Sequence, residues 1–330
     1  MQRDSRDSDW RADRTAVFER DGYTCRHCEQ QPGTDGVRVV TVGDVPLAEP
    51  VHESALVTVC DDCFEALMAP DRRDGADDPA PTPILERPET LFESMREVTR
   101  LQSETISTVA AFASLATTIP AALEDELSAG GTATDEGDRD RPYVTDRQEA
   151  LLALDVVDAK LEVLESVSDG DLDALAQGES SRESDDVDDG PEKSTLADAL
   201  EAFCGTATSL QGQLRRVVAL AERVALGLGR CRGCFEPLAK PPHTASDSEV
   251  AGAGTPQPGS ARPCPTCGLE PRDLADWRRE DGTVRFDDLF GAINTALQAS
   301  SRTTTTLTVR TQTVARALLA GDGSESESDQ

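Results

Sequence analysis

The strongest periodicity in the chain lies between residues 196 and 228. Leu196, Leu200, Phe203, Ala207, Leu210, Leu214, Val217, Ala221, Val224 and Leu228 alternate at spacings of four and three, which places them on one stripe of a helix. The same spacing, diluted by hydroxyls, recurs at Ile293, Leu297, Ser300, Thr304, Leu307, Thr311, Val314 and Leu318, predicting a helix over 286–319. Leu154, Val157, Leu161 and Leu164 predict another, opened by Thr145 and Gln148 at the spacing of a capping box. A further helical stretch runs from Glu89 to Thr118 and is expected to end before Pro120. Two arrangements satisfy these seams, an intrachain antiparallel bundle and a coiled-coil homodimer.

Composition shifts divide the rest. Residues 1–70 form a first unit, with extended Val37, Val39, Val40 and Val42, and a charged, Pro-rich linker follows at 71–85. The helical region 86–230 is interrupted by acidic linkers at 130–142 and 178–191. A second compact unit covers 231–280 and holds a Pro-, Gly-, Ser- and Ala-rich insertion at 241–262. A long helix at 281–320 and a disordered acidic tail at 321–330 complete the chain. Thr105–Leu123 carries no charge and is long enough to tempt a membrane span, but its Thr, Ser and Ala content predicts a packed helix. The N-terminus lacks the apolar core of a secretory signal, so a soluble cytoplasmic protein is expected, with no membrane partner.

The charge balance is extreme, 63 acidic against 32 basic residues for a net −31, and only Lys160, Lys193 and Lys240 are lysines. This composition resembles that of cytoplasmic proteins from halophilic archaea. Acidic surfaces stay hydrated in concentrated salt while their self-repulsion is screened, so the charge reflects solvent more than partner.

Eight of the nine cysteines fall into four C-x-x-C pairs, Cys25/Cys28, Cys60/Cys63, Cys231/Cys234 and Cys264/Cys267. A two-residue gap lets both sulfurs of a pair reach one ion, and two pairs complete a closed tetrahedral shell of the structural kind. Reducing cytoplasm favours metal over disulfides, so two zinc ions per chain are expected. Cys204, beside Phe203 on the seam, is expected to be a core residue, and His243 in the insertion a surface one. The phrases Cys63-Phe-Glu-Ala-Leu67 and Cys234-Phe-Glu-Pro-Leu238 predict that a Phe packs on each zinc turn in similar fashion.

The run Arg14…Val17-Phe-Glu-Arg-Asp21-Gly-Tyr-Thr-Cys25-Arg-His-Cys28, then Val45-Pro-Leu47, then Leu56-Val-Thr-Val-Cys60-Asp-Asp-Cys63-Phe-Glu-Ala-Leu67 resembles the zinc-finger form of the HNH endonucleases. The resemblance implies a ββα-metal, treble-clef-like finger, a separate catalytic ion and a histidine that activates water. The family's catalytic places fall here on Val42 and Gly43, on Ala55 and on Phe64, with Met68 at a further position that is often His. His27 lies inside the first knuckle, which leaves His52 as the weak catalytic candidate, with Asp44, Glu49 and Glu53 nearby as metal ligands. Pro263-Cys-Pro-Thr-Cys-Gly268 resembles a zinc-ribbon knuckle.

The expected fold is therefore mainly α, a helical bundle or coiled coil carrying two small zinc-bound α+β modules, an HNH-like finger and a C-terminal ribbon. The expected function is that of a non-catalytic zinc-binding protein contacting nucleic acid or a protein of an information-processing complex. The alternatives are an HNH-type metal-dependent endonuclease with its site shifted to His52, and a structural coiled-coil dimer stapled by zinc. Arg14, Arg20, Arg26, Arg230, Arg232 and Arg272 are the candidate nucleic-acid contacts, set against a solvated mixed-charge surface. No small-molecule fingerprint is present: phosphate-cradling glycine motifs are absent, and the EF-hand-like start at Asp169 fails at Ala174 and Ser180.

Overall fold

The helical stripes become four long helices. The structure, a computed structural model, describes residues 14–44, 51–74, 88–129, 137–167, 172, 196–238 and 262–322. In chain order its elements are β1 (Val37–Thr41), β2 (Leu56–Cys60), α1 (Asp61–Asp74), α2 (Pro88–Ala129), α3 (Gly137–Glu165), α4 (Leu196–Gly227) and α5 (Phe286–Asp322), with a short helix over 14–20 before them. They form two compact units: Met1–Asp61 with Thr108–Leu152 and Arg216–Thr295, and Asp62–Ser107 with Ala153–Arg215 and Ala296–Gln330. Each of α2, α3, α4 and α5 gives one stretch to each unit.

In the second unit the predicted stripes form the core. Leu91, Met95, Leu154, Leu161, Phe203, Leu210, Leu214, Leu307 and Val314 are all buried. The α4 seam from Leu196 to Val224 is buried within the single chain throughout, so the intrachain arrangement accounts for its spacing. Here α3 and α4 run antiparallel, since Asp155 and Asp158 meet Arg215 while Glu165 meets Thr208 two turns earlier. Buried Gln102 donates to the Ala207 carbonyl at 3.0 Å, a polar tie inside an apolar layer. Cys204 is buried as expected, and burial pushes its thiol up to about 12.

Three local expectations are corrected. Helix α2 passes through Pro120 and ends at Ala129, with Pro120 buried inside it. The Thr117 and Thr118 hydroxyls donate to the Ser114 and Leu115 carbonyls just before it, and burial outweighs the lost amide bond. Helix α3 starts at Gly137, so 137–142 are helical rather than loop and Pro142 lies inside the helix. Thr145 and Gln148 therefore sit mid-helix instead of forming a capping box; Gln148 Nε2 donates to the Glu53 and Leu56 carbonyls, both at 3.0 Å. Residues 71–74 of the expected linker are helical. The expectations for 178–191, for His243 and nearly all of 241–262, and for 323–330 fall outside the described residues. Within α2, Glu89–Glu124 is long and apolar enough to cross a membrane by length and composition, and its Leu91, Met95, Val109 and Phe112 are buried in the chain.

The first unit is organised around a buried charge. Glu222 of α4 is 1% exposed and accepts from Arg147 Nε of α3 at 2.8 Å and from Arg272 Nε at 2.6 Å. Arg147 meets Oε1, while Arg232 Nη1 lies 3.3 Å from Oε2, the oxygen that Arg272 also meets, and Asp44 Oδ2 sits 3.4 Å from both Arg232 and Arg272. Burial alone would push the Glu222 carboxyl up, but Arg147, Arg232 and Arg272 outweigh it and hold the group below its ordinary value. Beside this cluster, Tyr143 packs edge-on to Phe112 at 5.3 Å and against Phe235 at 4.4 Å, donating its hydroxyl to the Arg232 carbonyl.

Because the folded value of Glu222 is depressed, its stabilisation is complete above about pH 4.3, the ordinary Glu value, and fades as pH falls through the lower folded value. Glu222→Ala leaves Arg147 buried without its counter-charge and is expected to cost about 3–5 kcal/mol in urea unfolding at pH 7. The gap to wild type should narrow in acid, and a loss below about 1 kcal/mol at pH 7 would contradict the role given to the cluster.

Candidate metal centres

The first centre is assembled by a clamp on β2. Asp21 Oδ2 accepts from the Thr58 amide at 2.9 Å, and Arg20 donates to the Glu53 and Leu56 carbonyls at 2.9 and 2.8 Å. The chain then turns through Gly22 and Tyr23, both at positive φ, into the knuckle. There Cys25 N–H donates to Gln30 O and Glu29 N–H to Cys25 O, each at 2.9 Å, while Arg26 N–H reaches the Thr58 carbonyl. β1 pairs antiparallel with β2 in the register Val37↔Cys60 to Thr41↔Leu56. Cys60 thus closes the strand and Cys63 falls in the first turn of α1.

The second centre follows directly from α4. The helix ends on a Schellman turn, with Arg230 N–H to Ala225 O, Gly229 N–H to Leu226 O and Gly229 at φ +74°, and this delivers Cys231. Its two knuckles repeat the bonds of the first: Cys231 N–H to Glu236 O with Phe235 N–H to Cys231 O, and Cys264 N–H to Leu269 O with Gly268 N–H to Cys264 O. The residue after the second cysteine is left-handed in all three, at Glu29, Phe235 and Gly268. Phe235 bears that strain, about 1–2 kcal/mol for a non-glycine residue, against stacking on Tyr143 and under the Arg230 guanidinium. Phe64 is helical, so the matching phrases around Phe64 and Phe235 adopt different backbones and the expected common packing is corrected.

Within each group of four cysteines the sulfurs lie within 4.8 Å of one another. Cys28–Cys60, Cys231–Cys267 and Cys234–Cys264 are 3.6, 3.4 and 3.7 Å apart. Tetrahedral zinc with ~2.3 Å bonds needs sulfurs about 3.8 Å apart, so each group fits one ion, two per chain. In the second centre a hydrogen bond with Cys231 raises Cys234 well above an ordinary thiol, while one with the same residue drives Cys267 down to about 3. Sulfurs crowded together compete for charge, and a divalent cation resolves that competition.

The other sequence candidates are employed elsewhere. His52 caps the short 3-10 helix Glu53–Ala55, its Nδ1 accepting from the Ser54 amide at 3.1 Å. Asp44 faces Arg232 and Arg272, and Glu49 lies outside the described residues. Among the described residues, only the two four-cysteine sets bring His, Cys, Asp or Glu ligand atoms close enough to share a metal. Val42 and Ala55 are buried and share a hydrogen bond from Val42 N–H to Ala55 O. Gly43 sits at φ +66°, where a Cβ would come 2.7 Å from Leu151 Cδ1 of α3. Phe64, Met68 and His27 are half-buried.

Of the arginines, Arg20 binds the Glu53 and Leu56 carbonyls, Arg26 pairs with Glu149 at 2.5 Å, and Arg230 lies over Phe235. Arg232 and Arg272 join Glu222, Arg232 also donates to the Glu270 carbonyl at 2.8 Å, and Arg14 is half-buried. Arg147 and Glu222 were not singled out by sequence reasoning. The available signal was Glu222 interrupting an otherwise apolar row of Val218, Ala225 and Leu226. No protein-family model, curated protein or solved structure matches the chain.

The expected linker at 71–85, and the closing of a separate loop by each site, lead one to expect independent centres. Arg232, next to Cys231, meets Glu222 and Asp44 and so ties the second centre to the first module. Cys264→Ser is expected to lower zinc from two ions per chain to one and also to speed release of the remaining ion to a chelator. An unchanged release rate would show that the centres are uncoupled.

Proposed function

We propose that the chain is a non-catalytic, zinc-stapled interaction module: an HNH-like, treble-clef-like finger without its catalytic set, displayed with a zinc ribbon on a helical scaffold. The observation that carries this is the packing of Gly43 on Leu151. A histidine at the family's catalytic place would need φ +66° and a Cβ 2.7 Å from Leu151 Cδ1. Ala55, at the second place, is buried, and Phe64, at the third, lies on α1. The face that performs chemistry in the family is here a packing face. The capping role of His52 supports the same conclusion against a shifted nuclease site.

The partner favoured is a protein of an information-processing complex rather than nucleic acid. Arg20, Arg26, Arg232 and Arg272 already bond carboxylates or carbonyls, and phosphates would have to displace those partners. Supercoiled plasmid incubated with the protein and magnesium or manganese in high salt is expected to remain uncut. Nicking that disappears in His52→Ala would overturn the proposal. Gly43→His is expected to cost about 1–3 kcal/mol in urea unfolding; no cost would mean that the place is open rather than packed.

A further inference from the structure

The two centres share one ligand chemistry but differ in access. Cys28 is exposed and Cys63 half-buried, whereas Cys231, Cys234, Cys264 and Cys267 are all buried, at 2–6% exposure. A sulfur bound to a divalent cation is a thiolate whatever its free tendency to ionise, so access to reagent decides which one reacts. Cys28 Sγ also lies 3.6 Å from Cys60 Sγ, which places a resolving sulfur beside the accessible one.

We infer that Cys28 is the oxidant- and electrophile-reactive site of this chain, through which hydrogen peroxide opens the first metal centre while the second stays closed. The Cys28 thiolate attacks one peroxide oxygen, the O–O bond breaks, and hydroxide leaves a sulfenic acid on Cys28. The Cys60 thiolate then attacks that sulfur, the S–O bond breaks, and a second hydroxide leaves. Two thiolates are oxidised to one disulfide by two electrons, and peroxide with two protons becomes two waters. Two of the four metal ligands are consumed, so the ion is released.

The hairpin does not depend on the ion alone. Asp21 holds the Thr58 amide, and Arg20 and Gln148 hold the Glu53 and Leu56 carbonyls, all without metal. The first centre can therefore open and be restored by reductant and zinc. Cys204 provides the contrast, since burial pushes its thiol up to about 12 and shields it.

The test uses the full chain loaded with two zinc ions, treated in separate samples with N-ethylmaleimide and with hydrogen peroxide, followed by peptide mass mapping and colorimetric zinc release. Cys28 is expected to be alkylated at least about ten-fold faster than Cys204 or any cysteine of the second centre. Peroxide is expected to free one zinc ion per chain, yield a Cys28–Cys60 disulfide, and be reversed by dithiothreitol with added zinc. First alkylation at Cys204 or in the second centre, equal zinc loss from both centres, or a disulfide without Cys28 would each overturn the inference.

Discussion

A carboxylate removed from water must be met by fixed positive charge, and in this chain the carboxylate is Glu222. Desolvation costs several kcal/mol per buried ion, and Arg147, Arg232 and Arg272 offset it only where they stand. Those arginines come from α3 and from either end of the second metal module, and Asp44 joins from the first. A shift in any of these pieces would leave a guanidinium or the carboxylate unpaired in a low-dielectric interior. The arrangement of both modules on α3 and α4 within the first unit is thereby specified by electrostatics, while the aromatic stack of Phe112, Tyr143 and Phe235 fills the space beside it.

Metal does for the modules what a hydrophobic core does for the helices. Among the described residues, the apolar cluster of the second centre is its four cysteines with Leu269 and Leu238, too small a set to hold a fold by area alone. Closing two knuckles on one ion fixes their turns, left-handed residue included, at a strain that an unstapled segment of this size would not sustain. The first centre is less dependent, because the Arg20 and Asp21 clamp and Gln148 hold its strand directly.

The features legible in the sequence were those encoded over short distances. A C-x-x-C turn and a four-three apolar stripe each carry their geometry in a few neighbouring residues, and both centres and the α4 seam were visible in advance. What stayed hidden depends on partners far along the chain. Pro120 reads as a helix end until its ring is seen buried, and Gln148 reads as a cap until Glu53 and Leu56 come within reach, 95 and 92 residues away. Arg232 and Arg272 look like surface charge because nothing local announces Glu222. Phe64 and Phe235 show the reverse failure: a closely similar local phrase, differing at Ala66 and Pro237, takes a helical backbone after one cysteine pair and a left-handed one after another, where strand β2 leads into the first and a helix end into the second.

Two closed zinc shells built only from sulfur staple the two modules. Zinc K-edge absorption on the purified full chain, combined with elemental analysis, tests this most directly. Two zinc ions per chain with four sulfur neighbours at about 2.3 Å are predicted. One ion per chain, or a shell containing nitrogen or oxygen, would contradict it.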